Sequence, residues 1–332
     1  MRIHLLIFCA ILVANIQAQK TGKLADKPLF RDPVFDGAAD PVVIWNRAEK
    51  KWFMLYTNRR AKDTTLDGVK WVHGTPIGIA ESSDGGATWK YRDTCDIQYR
   101  PDNGYTFWAP EIVYYKGLYH MYLSYVPGVF SDWKHPRQML HLTSKNLINW
   151  KYESTLKLAS EKVIDACVFH MPDGTWRMYY NNEADKKSIY YANSRDLYTW
   201  TDSSRKVVGD RGGEGPYVFK WKGKYRMIVD NWKGQGVYSS DDLIHWQRQP
   251  NNILQESGKG KDDEGFGYHA MVVVNDDRGF IFYFTHPGRK PGASLLDQRR
   301  SSIQVAELEL KDGQVVCDRD KPVHIKLVPP KD

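Results

Sequence analysis

The chain holds only four cysteines in 332 residues. One of them, Cys9, lies in an apolar run near the start, which leaves Cys95, Cys167 and Cys317. Three irregularly spaced thiols give neither a disulfide framework nor a metal-binding pattern. Cys167 sits among apolar residues, where a thiol acts as a small buried hydrophobe. Long apolar runs are missing too. The run at residues 5–13 is too short to cross a bilayer as a lasting helix, and no later run approaches that length, so no membrane insertion is expected. Blocks of like charge are also absent. Lys and Arg (47) outnumber Asp and Glu (40), for a formal net charge of +7, yet the basic residues are scattered singly. This argues against nucleic acid as a partner, whereas a basic surface suits an acidic or sulfated polysaccharide.

The start of the chain reads as an export signal. Arg2 precedes the apolar run, and Gln17-Ala18-Gln19 supplies a cleavage site. The expected organisation is a signal peptide at 1–18, an extended lead-in at 19–35 with Pro28 and Pro33, and one domain over 36–332. The destination is periplasmic or secreted.

Aromatic residues are plentiful at 13%, with 12 Trp and 20 Tyr. They recur in phase. Five stretches begin with or near an acid or His and continue in β-formers: Asp40-Pro41-Val42-Val43-Ile44, Ala109-Pro110-Glu111-Ile112-Val113, Asp165-Ala166-Cys167-Val168-Phe169, Glu214-Gly215-Pro216-Tyr217-Val218 and His269-Ala270-Met271-Val272-Val273. Each precedes a second β-rich run, at 52–56, 119–124, 176–180, 225–230 and 280–285. Four units then close on a small polar turn and a Trp: Trp89, Trp150, Trp200 and Trp246. The fifth has residues 301–310 in that place, without the Trp. Units of about 50 residues with three or four strands are blade-like. The expected fold is all-β, a five-bladed β-propeller, favoured over a β-sandwich because the order of elements recurs in phase.

In such a ring the first strand of each blade lines the central channel, so Asp40, Asp165 and Glu214 converge although they lie far apart in sequence. Singly, each has a plain structural explanation: an Asp can hold a turn, and a Glu can pair with an Arg. Together they suit glycoside hydrolysis, in which an ionised carboxylate activates water and a protonated one assists the leaving group. A third carboxylate supplies the negative charge that keeps the acid protonated. Glu111 is expected to bind a substrate hydroxyl, since its register is offset from the other acids. Trp108 and Tyr268 flank the site and are expected to stack on sugar, a role open equally to plain blade packing. No cofactor is required. A water-filled channel with hard oxygen ligands suits a central Ca²⁺, without a visible ligand set.

The order Ala39-Asp40-Pro41, Trp108-Ala109-Pro110, Ile164-Asp165, Glu214-Gly215-Pro216 and a blade-five His resembles glycoside hydrolase family 43 over residues 36–290. The resemblance implies Asp40 as general base, Asp165 as modulator of the acid's pKa, Glu214 as general acid, and His269 as holder of a central ion or water. Two departures stand out. Glu111 replaces the usual Asp, and Ala166 follows Asp165 where Pro is usual. The stretch Phe282-Tyr283-Phe284-Thr285-His286-Pro287-Gly288-Arg289, with Ser301-Ser302-Ile303-Gln304-Val305-Ala306-Glu307-Leu308, is similar to family 117, which acts on 3,6-anhydro-L-galactose and in which a His serves as acid. That resemblance implies His269 as acid and Glu214 as a ligand; the helical N-terminal arm of that family is not evident. The expected activity is exo-acting, inverting release of a terminal sugar from a plant or algal oligosaccharide, arabinofuranosidase/xylosidase-like or 3,6-anhydro-L-galactosidase-like. The alternative is a non-catalytic carbohydrate-binding propeller.

Overall fold

The computed structural model describes residues 22–99 and 104–331. The signal segment expected at 1–18 lies outside these residues. Five antiparallel sheets follow in chain order. Their inner strands are Ala38–Asn46, Thr106–Tyr115, Val163–His170, Glu214–Trp221 and Tyr268–Asn275. The expected five-bladed ring is therefore present, with each predicted stretch on an inner strand. Blade two carries a fifth strand, Asp96–Ile97, laid parallel to Asn149–Leu156.

Between blades the core is aromatic and aliphatic. Tyr122, Met139, Met178 and Tyr180 fill the gap between blades two and three, and Met227, Val229 and Tyr179 the next. Burial of each such side chain stabilises by about 1.5–3 kcal/mol. Neither face of one blade could be covered by that blade alone, which is why the units stack.

The recurrent polar turn has a specific structure. Ser144, Ser194 and Ser240 each accept the backbone N–H of a residue three positions on through Oγ. Those residues, Leu147, Leu197 and Leu243, have φ between 63° and 67°, a conformation that costs a side chain energy. The Trp then secures the turn: the indole N–H of Trp150 donates to Leu147 O and that of Trp200 to Leu197 O, both at 3.2 Å. Each of these Trp residues stands at the junction of third and fourth strands, and its fixed distance from the Ser follows from this contact.

The ring closes by the lead-in. Phe30 bridges Ile303, Gly37 bridges Ser301, and Ser301 Oγ donates to Ala38 O at 2.8 Å, joining blades five and one. Lys23–Leu24 pairs with His324–Ile325. The connection between the second and third strands of blade five contains a short helix, Leu295–Arg299, capped by the Ser294 side chain. Its shortness left no periodic signal in the sequence.

Candidate active site

All five inner strands break register at the same place, near their starts: between Ala39 and Val42, Trp108 and Pro110, Ile164 and Cys167, Glu214 and Tyr217, and Tyr268 and Met271. An extra residue there bends the strand and re-aims a side chain. Four of the residues in these bulges have left-handed backbone: Asp40 (φ 52°), Ala109 (φ 43°), Asp165 (φ 58°) and Gly215 (φ 57°). His269 fills the corresponding position in blade five. The ring of equivalent positions is thus Asp40, Ala109, Asp165, Gly215 and His269. Glu214 stands one residue earlier, in register with Trp108 and Tyr268.

Four of the five bulges are tied to the blade before them. Ala109 N–H donates to Thr57 Oγ1 (2.8 Å), Asp165 N–H to Ser124 Oγ (2.9 Å), Gly215 N–H to Asp165 Oδ2 (3.0 Å) and His269 N–H to Asp230 Oδ2 (2.7 Å). These bonds fix how neighbouring blades present their site residues.

The strand starts open into a cavity of about 600 Å³ lined by Asp40, Asp165, Glu214, Asp230 and His269, with Trp108 and Tyr268 among its walls. The structure therefore brings together six of the seven sequence-predicted site residues. Glu111 is the exception. It is buried outside the cavity lining, where its Oε1 accepts the Val168 N–H at 2.8 Å. Burial raises its pKa to about 8. The expected substrate contact is thus corrected. Glu111 lies two residues past the Ala109 bulge, further along the strand than Trp108, which lines the cavity.

Asp40 is buried and held by Arg59, whose Nη2 lies 3.1 and 3.3 Å from its two oxygens. His269 Nδ1 is 3.6 Å from Asp40 Oδ1 and 3.8 Å from Asp165 Oδ2. Burial pushes the Asp165 carboxyl up to about 7; the His269 charge opposes this, and Glu214 and Asp40 add to it. For His269, burial favours the neutral ring, but Asp165, Asp40, Asp230 and Glu214 outweigh it and raise its pKa. Glu214 Oε2 is 3.2 Å from Lys187 Nζ. Lys187 also meets Glu183 (2.8 Å), which meets Arg137 (2.8 Å).

Sequence reasoning missed Asp230, Arg59 and Lys187. Asp230 is buried, and burial followed by the Glu214 charge raises its pKa to about 7. Opposite the inner strands, blades one to three carry Thr57, Ser124 and Asn181 where blade four carries Asp230. An acid where the other repeats have neutral polar residues was therefore a readable signal. Arg59 and Lys187 lie on loop-flanking positions whose reach no repeat pattern reports.

Among the described residues, no group of three or more His, Cys, Asp or Glu side chains is arranged to hold a metal ion.

Solved structures share this architecture. A thermostable family-43 glycoside hydrolase matches at 20% identity and TM-score 0.64, covering 91% of this chain and 99% of that one. A family-43 β-1,3-galactosidase with galactodeoxynojirimycin matches at 15% identity and TM-score 0.64, covering 90% and 97%. A family-43 β-xylosidase/α-arabinofuranosidase from a compost microbial metagenome, solved with xylotriose in a calcium-free form, matches at 16% identity and TM-score 0.64, covering 86% and 96%. No curated protein matches the chain. The family model for glycosyl hydrolases family 43 matches residues 30–313. With that match spanning most of the sequence and three of the five blades aiming carboxylates into one pocket, the chain belongs to glycosyl hydrolases family 43 and is a glycoside hydrolase.

Proposed function

We propose that this hydrolase is exported, exo-acting and inverting, and that it releases a terminal sugar from a plant or algal oligosaccharide. The observation that carries the mechanism is the meeting of Asp40, Asp165 and Glu214 in one cavity. In this reading Asp40 takes a proton from water as the water oxygen bonds to the anomeric carbon. The glycosidic C–O bond breaks on the opposite face, and Glu214 gives its proton to the departing oxygen. Asp40 ends protonated and Glu214 ionised, and solvent resets both. Direct water attack inverts the anomeric centre.

The environments support this division of labour. Asp40 is hydrogen-bonded by Arg59 and lies 3.6 Å from His269 Nδ1, which fixes its place at the pocket wall. Glu214 faces Lys187, but the Asp165 and Asp230 carboxyls share its side of the pocket. Asp165 holds the Gly215 peptide next to the acid, which suits a modulator. His269 sits between two carboxylates and suits positioning them. Trp71, Trp133 and Trp232, from loops of blades one, two and four, are among the residues lining the pocket, and loop walls of this kind suit a chain end over a chain interior. Export rests on the Arg2, apolar run and Gln17-Ala18-Gln19 pattern.

The test is a screen of the purified protein against plant and algal oligosaccharides with Asp40→Asn as control. Release of one monosaccharide by wild type alone supports the reading; hydrolysis that persists in Asp40→Asn at the wild-type rate overturns it.

A further inference from the structure

Five cations line the cavity: Arg59, Arg137, Lys162, Lys187 and Arg289. Three have carboxylate partners. Arg59 meets Asp40, Arg137 meets Glu183, and Lys187 meets Glu183 and Glu214. Arg289 and Lys162 differ: among the described residues no carboxylate lies within 4.0 Å of either.

Arg289 is the more informative of the two. It is open to the cavity, and its Nε donates to Gln298 O at 3.3 Å. The Tyr268 hydroxyl lies on its other side. Its charged neighbour is another guanidinium, Arg59, and the surrounding wall together with that charge lowers its pKa. His286 is buried beside Arg59 and feels both guanidinium charges, with Nδ1 2.9 Å from Arg300 O and Nε2 3.5 Å from Arg59 Nη1. Burial and both arginines hold the His286 pKa well below its usual range, so the ring is a neutral acceptor. One wall of the pocket therefore presents two guanidiniums and one carboxylate, Asp40. The mutual repulsion of Arg59 and Arg289 is a standing cost that an apolar or neutral ligand would leave in place. An anionic group would remove it, and the planar fork of Arg matches a carboxylate or sulfate with two parallel hydrogen bonds.

We propose that the pocket takes an acidic sugar, with a uronate carboxylate or a sulfate ester seated against Arg289 and Tyr268. This names the substrate class for the hydrolase reading above and rests on that reading for what happens to the bound sugar. The placement on blade five puts the anion beside Arg59 and Tyr268. Lys162 adds a second positive charge without a carboxylate partner on another part of the wall.

The test is binding, which needs no turnover. Matched sugars are titrated by calorimetry into wild type, Arg289→Gln, Arg289→Lys and the surface control Arg195→Gln: galacturonate and galactose 6-sulfate against galactose, and glucuronate and glucose 6-sulfate against glucose. At least one acidic member should bind about tenfold or more tightly than its neutral counterpart, the size expected for a charge-assisted pair. Arg289→Gln should shrink that preference to about twofold or less, Arg289→Lys should keep part of it, and Arg195→Gln should leave it whole. The uronate and sulfate arms separate the two anions. Equal binding of neutral and acidic members, a preference that survives Arg289→Gln, or no acidic sugar binding with a Kd below about 10 mM overturns the proposal. An acid preference in a protein that hydrolyses nothing would instead contradict the assignments of Asp40 and Glu214 and leave the acidic-sugar site standing.

Discussion

The carboxylate of Asp165 accepts the backbone N–H of Gly215 at 3.0 Å, so a blade-three acid holds the peptide bond that follows the blade-four acid Glu214. Position and charge are thus supplied by one side chain. The Asp165→Asn variant keeps an oxygen for this bond and loses the charge. Its kcat is expected to fall by about 10²-fold, with KM little changed, and the alkaline limb of its pH–rate profile should move to lower pH. Steady-state kinetics across pH check this; an unmoved limb would leave Asp165 with a structural part only.

Gly215 is required by space as well as by backbone. Its φ is 57°, and a Cβ placed there would lie 2.9–3.0 Å from the His269 ring. Gly215→Ala should displace His269 from Asp40 and Asp165. We expect kcat/KM to drop by about 10²-fold or more and the melting temperature to fall by several degrees, since strained left-handed backbone costs about 1–3 kcal/mol. Kinetics and thermal unfolding together measure both effects.

How much of this was legible in the sequence depended on the kind of feature. The blades were, because runs of β-formers and a small polar turn ending in Trp recur in phase. Asp40 and Asp165 were, because each opens an inner strand. The bulges were not readable, since the extra residue shows only when two strands are laid side by side. The offset register of Glu111 was visible in the sequence, but the residue added at Ala109, which decides where that offset leads, was not. Arg59 and Arg289 reach the site from loops, where side-chain direction depends on tertiary contacts that no period encodes.

Glu111 offers a check on that correction. It is buried outside the cavity lining with its pKa raised to about 8, so it carries a proton at neutral pH. Glu111→Gln should leave KM within about twofold of wild type and change stability little, because a neutral carboxyl is replaced by a neutral amide of similar shape. A tenfold rise in KM would return Glu111 to the substrate contacts.

Stability should decline above about pH 6.5. The Asp165 and Asp230 carboxyls, raised to about 7 by burial, keep protons in the folded state that the unfolded chain releases near pH 4. Their contribution is full below about pH 4 and is lost as pH rises through about 7. His269, raised by its acidic neighbours, acts in the same direction above the ordinary His value. His120 and His141, stacked in blade two with Nδ1 and Nε2 3.0 Å apart, are lowered to about 4, mainly by burial. The unfolded chain protonates them first, so their contribution falls as pH drops from about 6.5 toward 4 and offsets the carboxyls there. Thermal unfolding from pH 4 to 9 should therefore show a net loss as pH rises through about 7, and Asp230→Asn should remove this carboxyl's share, which falls between about pH 4 and 7. A pH dependence between about 4 and 7 that is unchanged in Asp230→Asn would contradict the part assigned to this carboxyl.

The division between Glu214 as acid and Asp40 as base is tested most directly by leaving-group dependence. Once the released sugar is known, its oligosaccharide and its dinitrophenyl glycoside are compared in wild type, Glu214→Gln and His269→Asn. The dinitrophenolate leaves without a proton, so loss of the acid should matter for the oligosaccharide alone. Glu214→Gln is predicted to lose about 10³-fold on the oligosaccharide and to stay within about tenfold of wild type on the dinitrophenyl glycoside, while His269→Asn is impaired equally on both. Equal impairment of Glu214→Gln on both substrates, with the dinitrophenyl glycoside sparing His269→Asn instead, would contradict that division and make His269 the acid.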